Sequence, residues 1–325
     1  MRAIVCRSLD GPDALNLEDR PEPETGACGV RIRVRAAGLN FADSLMLRGR
    51  YQEKPPLPFT PGLELAGEID AIGAGVRGLR VGQRVMAVVN HGAFAEKAVA
   101  RADDVVPLPD DMDFVTAAGF AIAYGTAHGG LRWRADLHAG EVLLVHGAGG
   151  GVGLTAVECG RALGATVIAT ARGEAKLAVA REHGADHVLD SEAPDLKERI
   201  RELTDNRGVD VAYDPVGGAM FDLSMRCIAW EGRIVVIGFA SGTVPQIPAN
   251  VLLVKNAAVL GFYWGSYRKH DAERLRDGFG ELFDWYRQGL IRPHVSETLP
   301  LERTAEAIRL LTERKSIGKV VLQVH

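Results

Sequence analysis

HGAGGGVG, residues 146–153, places five glycines in eight positions, directly after the apolar run Val142-Leu143-Leu144-Val145 and ahead of the helical pattern Leu154 to Leu163. A structural turn explains one or two of these glycines but not their placement. A strict GxGxxG fails, because both candidate third positions, Val152 and Leu154, are not glycine; AxGxxG fits at Ala148, Gly150 and Gly153. Glycine there removes side chains that would keep the backbone away from a pyrophosphate, and a helix N-terminus offers unpaired N–H groups to the anion. The stretch Ala148, Gly149, Gly150, Gly151, Val152, Gly153 thus reads as the phosphate cradle of a dinucleotide site.

Working outward from the cradle, strand-like runs at Glu141 to His146, Thr166 to Thr170, His187 to Asp190, Val209 to Asp214 and Arg233 to Gly238 alternate with helical patterns such as Ala175 to His183 and Pro194 to Thr204. Regular βαβ alternation predicts a parallel sheet covered on both faces. Before about residue 125 the character differs: short β-like runs (Val30 to Ala36, Gly67 to Ile72, Arg84 to Val89) are separated by Gly and Pro clusters. After residue 260 come helical patterns at Asp271 to Gln288 and Leu301 to Arg314, then a last β-run, Lys319 to Val324. The expected fold class is α/β: a mostly-β domain over 1–124 completed by 265–325, and a doubly wound Rossmann domain over 125–264.

The segment after the second Rossmann strand reads Ala169-Thr170-Ala171-Arg172-Gly173-Glu174-Ala175-Lys176. NAD-selective enzymes hold the ribose 2′-OH there with an Asp or Glu, about 20 residues after the glycines. Here a 2′-phosphate would meet Arg172 and Lys176 instead of a repelling carboxylate, with Glu174 the nearest acid. NADPH is the expected cofactor.

With 47% hydrophobic and 25% charged residues the 325-residue chain has a globular composition, and its formal net charge of -4 gives no reason to expect nucleic acid or an anionic membrane as partner. Cys6, Cys28, Cys159 and Cys227 lack CxxC spacing, which argues against a disulfide framework and a structural zinc knuckle. The N-terminus shows no long hydrophobic region, and no run reaches the roughly 18 apolar residues of a membrane span. The expected location is the cytoplasm.

AAGLNFADSLMLRGRY (36–51), PFTPGLELAGEI (58–69), VGQRVMAV (81–88), YGTAH (124–128), HGAGGGVG and ERKSIGKVVL (313–322) together resemble the zinc-free quinone oxidoreductases of the medium-chain dehydrogenase/reductase superfamily. The resemblance covers nearly the whole chain. It implies a GroES-like catalytic domain, a Rossmann domain, an active cleft at their junction and a homodimer, with the apolar run Asn250 to Gly261 as a paired edge strand. It also implies the absence of zinc. Zinc alcohol dehydrogenases of that superfamily place a ligand Cys where this chain has Asn40, and a ligand His in a GHE motif that here reads Gly62-Leu63-Glu64.

By the same resemblance Asn40 and Tyr51 are the candidate catalytic residues, donors to an oxygen on which charge develops. Asp43 and Arg48 are assigned to fixing the loop. Many members carry a second tyrosine where this chain has Leu45, which makes the pocket more apolar. Thr126, Ile237, Gly238 and Phe239 are carried over as contacts to the nicotinamide end, and Arg314 as a further cation for the 2′-phosphate. Three functions stay open: NADPH-dependent reduction of a quinone or related conjugated carbonyl, reduction of the C=C bond of an enone or 2-enoyl thioester, and a nucleotide-binding protein with a structural or RNA-binding role.

Overall fold

The computed structural model describes residues 1–325, which fold as two compact units: Met1–Ile122 with Pro293–His325, and Ala123–Arg292. The first unit is organised by the strand Gly29–Gly38. One edge of it pairs antiparallel along Glu64–Ile72; on the other edge its first half pairs with Lys97–Arg101 and its last residues with Val321–Gln323 of the strand Lys319–Gln323. A strand with neighbours on both edges needs apolar residues beneath it, and Val30, Ile32 and Val34 are buried with Leu65, Ile69, Val320 and Leu322 in one core. The tail is therefore part of this core, as its closing β-run suggests.

The second unit holds a six-stranded parallel sheet in the spatial order His187–Asp190, Thr166–Ala171, Val142–Val145, Val209–Asp214, Ile228–Val236, Ala258–Gly261. Numbered along the chain within this sheet, that order is 3-2-1-4-5-6, the doubly wound arrangement with its switch point between Val142–Val145 and Val209–Asp214. Glycine lets the helix Gly151–Ala162 lie close to the sheet: a Cβ on Gly160 would stand 2.4 Å from Leu143 Cδ2. No helix is long and apolar enough to cross a membrane.

Two expectations differ from the structure. Residues 265–292 belong with the second unit, because the helix Ala272–Arg287 buries Leu275, Phe279, Leu282, Phe283 and Trp285 and packs Phe279 on Trp264 and Trp285 on His128. An amphipathic helix goes where its apolar face finds partners, and these aromatics lie in the second unit. The run Asn250 to Gly261 is not one strand. Ala249–Lys255 is a helix, Asn256 turns left-handed at φ 50°, and only Ala258–Gly261 joins the sheet. A short apolar run does not distinguish strand from helix by periodicity.

Candidate active site

In the second unit the glycine stretch forms a strand–turn–helix at the switch point. Gly147 takes φ 61°, a left-handed turn that favours glycine, and Gly153 approaches it so closely that a Cβ would stand 2.1 Å from the Gly147 carbonyl oxygen. Gly150, the N-cap of Gly151–Ala162, meets nothing closer than 3.4 Å at its Cβ position. Its missing side chain is thus not demanded by the protein's own packing. It leaves free space at a helix N-terminus where an anion is favoured.

His146 is buried beneath this turn, with Nδ1 2.8 Å from Thr170 Oγ1 and Nε2 2.9 Å from Ser224 Oγ. Burial lowers its pKa, which keeps the imidazole neutral and suited to two hydroxyl partners. It therefore ties the cradle's first residue to the strand Thr166–Ala171 and the helix Ala219–Cys227. The stem of Lys176 covers Gly149, whose Cβ would lie 2.6 Å from Lys176 Cβ, and Arg172 Nη2 lies 2.7 Å from Glu192 Oε1. Thr126 is buried on the helix Ala121–His128. The amides of Ile237 and Gly238 donate to the Asp214 carbonyl at 2.9 and 3.4 Å, fixing the loop after the fifth strand, and Phe239 at its end is exposed. Arg314 is in the first unit, exposed and left-handed at φ 59°.

In the first unit three strand ends bring a polar group into the core. Asn40 follows Gly29–Gly38 and caps the helix Phe41–Met46; Glu64 opens Glu64–Ile72; Lys319 opens Lys319–Gln323. Register places them together, since Gly38 is opposite both Glu64 and Val321. The Lys319 ammonium donates to Glu64 Oε1 at 2.8 Å, to Asn40 Oδ1 at 2.9 Å and to the Leu39 carbonyl at 2.6 Å. Asn40 Nδ2 donates to Glu64 Oε1 at 2.8 Å, and the Ile122 amide donates to Glu64 Oε2 at 2.9 Å. Two glycines make room: a Cβ on Gly38 would stand 2.7 Å from Glu64 Oε1, and one on Gly119 3.3 Å from the Lys319 stem.

Asp43 Oδ2 accepts the Asn40 amide at 2.7 Å, and burial pushes the Asp43 carboxyl up to about 7 against the pull of that amide and of Lys319. The Arg48 guanidinium lies alongside Gly11, with Nε 3.6 Å from the glycine's Cβ position. Tyr51 is half-buried in the bend that follows, packed against the core. The residues that sequence reasoning missed are Lys319, Glu64 as its partner, and His146. Lysine at the start of the otherwise apolar Lys319-Val-Val-Leu, and histidine at a strand end followed by glycines, were the available signals.

A doubly wound nucleotide fold and a β-unit completed by the chain's tail are together the build of a medium-chain dehydrogenase/reductase. The family described as "Alcohol dehydrogenase GroES-like domain" matches residues 26–110, and "Zinc-binding dehydrogenase" matches residues 151–279. The chain is 41% identical to the quinone oxidoreductase-like protein 2 homolog of Nematostella vectensis, across 99% of this chain and 88% of that one. It is 36% identical to the quinone oxidoreductase of Pseudomonas aeruginosa, across 99% of both. The crystal structure of Escherichia coli quinone oxidoreductase complexed with NADPH superposes with a TM-score of 0.94 at 29% identity, covering 99% of this chain and 100% of that one. The chain belongs to the quinone oxidoreductase family of the medium-chain dehydrogenase/reductase superfamily.

The zinc that one of these family descriptions implies does not fit the residues present. No three His, Cys, Asp or Glu side chains are grouped to hold a metal ion, and the Glu64 carboxylate beside Asn40 is engaged by an ammonium.

Proposed function

We propose that the protein is a zinc-independent, NADPH-dependent oxidoreductase that reduces a quinone or related conjugated carbonyl. The observation that carries this reading is the space at Gly150, an opening at a helix N-terminus that the fold's own packing does not require. In the second unit Gly149 to Gly153 with Ala148 hold the pyrophosphate, Arg172 and Lys176 the 2′-phosphate, and Thr126 with Ile237, Gly238 and Phe239 the nicotinamide end. NADPH, when bound, supplies the hydride. Asn40 directs its remaining Nδ2 hydrogen, and Tyr51 its hydroxyl, at the acceptor oxygen on which negative charge develops. With a proton from solvent, hydride addition to a quinone gives the hydroquinone, a two-electron reduction.

An already electrophilic acceptor of this kind needs hydrogen-bond donors rather than a Lewis acid. An alcohol substrate would need its pKa lowered, for which metal ions are the usual means.

A homodimer in the cytoplasm completes the reading. Ala258–Gly261 is the outermost strand of its sheet, Leu253 and Val254 just before it are each 78% exposed, and free thiols fit a reducing compartment. Following oxidation of NADPH across quinones, enones and enoyl-CoA thioesters tests the function. Turnover is expected with quinones. Preference for enoyl-CoA would replace the acceptor class, and no turnover on any acceptor would leave a nucleotide-binding protein.

A further inference from the structure

We propose that Lys319 is a positioning residue for Asn40, a role that rests on Asn40 being the donor to the acceptor oxygen. A primary amide in a protein site can present either its oxygen or its NH2 group, and only the NH2 group can donate to a developing oxyanion. Around Asn40 both ends are specified. The Lys319 ammonium has no acceptor capacity, so at 2.9 Å it admits only Oδ1; Glu64 Oε1, itself bonded to that ammonium at 2.8 Å, admits only Nδ2. The Asn40 carboxamide is thereby held in one orientation, with one Nδ2 hydrogen committed to Glu64 and the other left over for an acceptor.

The same three atoms explain why a charged lysine stands at the start of a buried strand. An isolated ammonium in the core is costly, but three oxygens at 2.6–2.9 Å satisfy its three donors, and its charge matches the Glu64 carboxylate. Asp43 holds the Asn40 backbone through its amide at 2.7 Å, so Asp43 fixes where the residue sits while Lys319 fixes which way its side chain faces. The machinery of the first unit is then a donor with a built-in polarity, set by a cation contributed from the C-terminal strand.

The test is a double-mutant cycle of Lys319→Met and Asn40→Ala, read as kcat with a quinone and as NADPH affinity by fluorescence. Lys319→Met should lower kcat on the order of 10- to 100-fold with NADPH affinity unchanged, and should cost nothing further in the Asn40→Ala background. Equal losses in both backgrounds would overturn the role of Lys319 while leaving Asn40 as a donor. Should Asn40→Ala keep the parent kcat, the functional assignment of Asn40 fails instead.

The orientation itself is read without activity. In protein 15N-labelled at its six asparagines, the side-chain NH2 pair absent from Asn40→Ala should show one proton protected from solvent exchange. That protection should be lost in Lys319→Met, or in Lys319→Leu if the methionine variant does not fold. Rapid exchange of both protons in the parent protein would contradict the inference.

Discussion

Arg172 Nη2 lies 2.7 Å from Glu192 Oε1, both side chains more than half exposed, so the guanidinium assigned to the 2′-phosphate rests in an ion pair at the protein surface. Such a pair contributes about 0–1 kcal/mol, and it yields readily to a doubly charged phosphate. Replacing Arg172 and Lys176 together by alanine is expected to lower the preference for NADPH over NADH by roughly tenfold per cation removed. Steady-state kinetics with both cofactors measures this. An unchanged ratio would rule out both residues as 2′-phosphate ligands.

The cradle assignment separates two glycines that look alike in sequence. Gly150→Ala has ordinary contact distance, so its unfolding temperature should stay near the parent's while NADPH binding weakens by about tenfold or more. Gly153→Ala drives a Cβ into the Gly147 carbonyl and should destabilise the protein by about 1–3 kcal/mol. Thermal unfolding with and without NADPH distinguishes the two. Unimpaired NADPH binding by Gly150→Ala would make the glycine cluster a turn and nothing more.

Asp43 gives the first unit a pH signature. Its folded pKa of about 7 stands above the ordinary carboxylate value because of burial. Between about pH 4 and 7 the folded chain therefore holds a proton that the unfolded chain has released, and stability falls as pH rises through that window, then levels off. Denaturant unfolding of Asp43→Asn, which keeps an acceptor for the Asn40 amide, should lack this decline. Relative to the parent it should gain on the order of 4 kcal/mol between pH 4 and 8. Parallel pH profiles for parent and variant would contradict the buried-acid assignment.

The exposed pair Leu253 and Val254 marks the surface expected to be covered in the dimer. Substituting both by glutamate should convert a dimer to a monomer in light scattering, with the unfolding temperature little changed because neither side chain belongs to the core. A monomeric parent would remove the dimer from the proposal.

Where local pattern and tertiary packing agree, the sequence was enough. The strand–glycine–helix stretch announces its own geometry, and the βαβ alternation gave the sheet its parallel character. The helix Ala272–Arg287 was recognisable as a helix, but its unit was not, since that depends on Trp264 and His128 meeting Phe279 and Trp285 on its apolar face. Asn250 to Lys255 read as strand because apolar runs carry no period. The polar centre was half legible: Asn40 stood out in its motif, whereas Lys319 is brought beside it by antiparallel pairing across 279 residues, a relation no local signal encodes.

The central claim, hydride transfer from NADPH to a quinone without a metal, is tested most directly by one measurement. Protein treated exhaustively with a chelator and verified free of zinc is mixed with NADPH and a quinone, and loss of the reduced-nicotinamide absorbance is followed. The rate should equal that of untreated protein, and added zinc should not raise it. Loss of turnover on chelation, restored by zinc, would contradict the account.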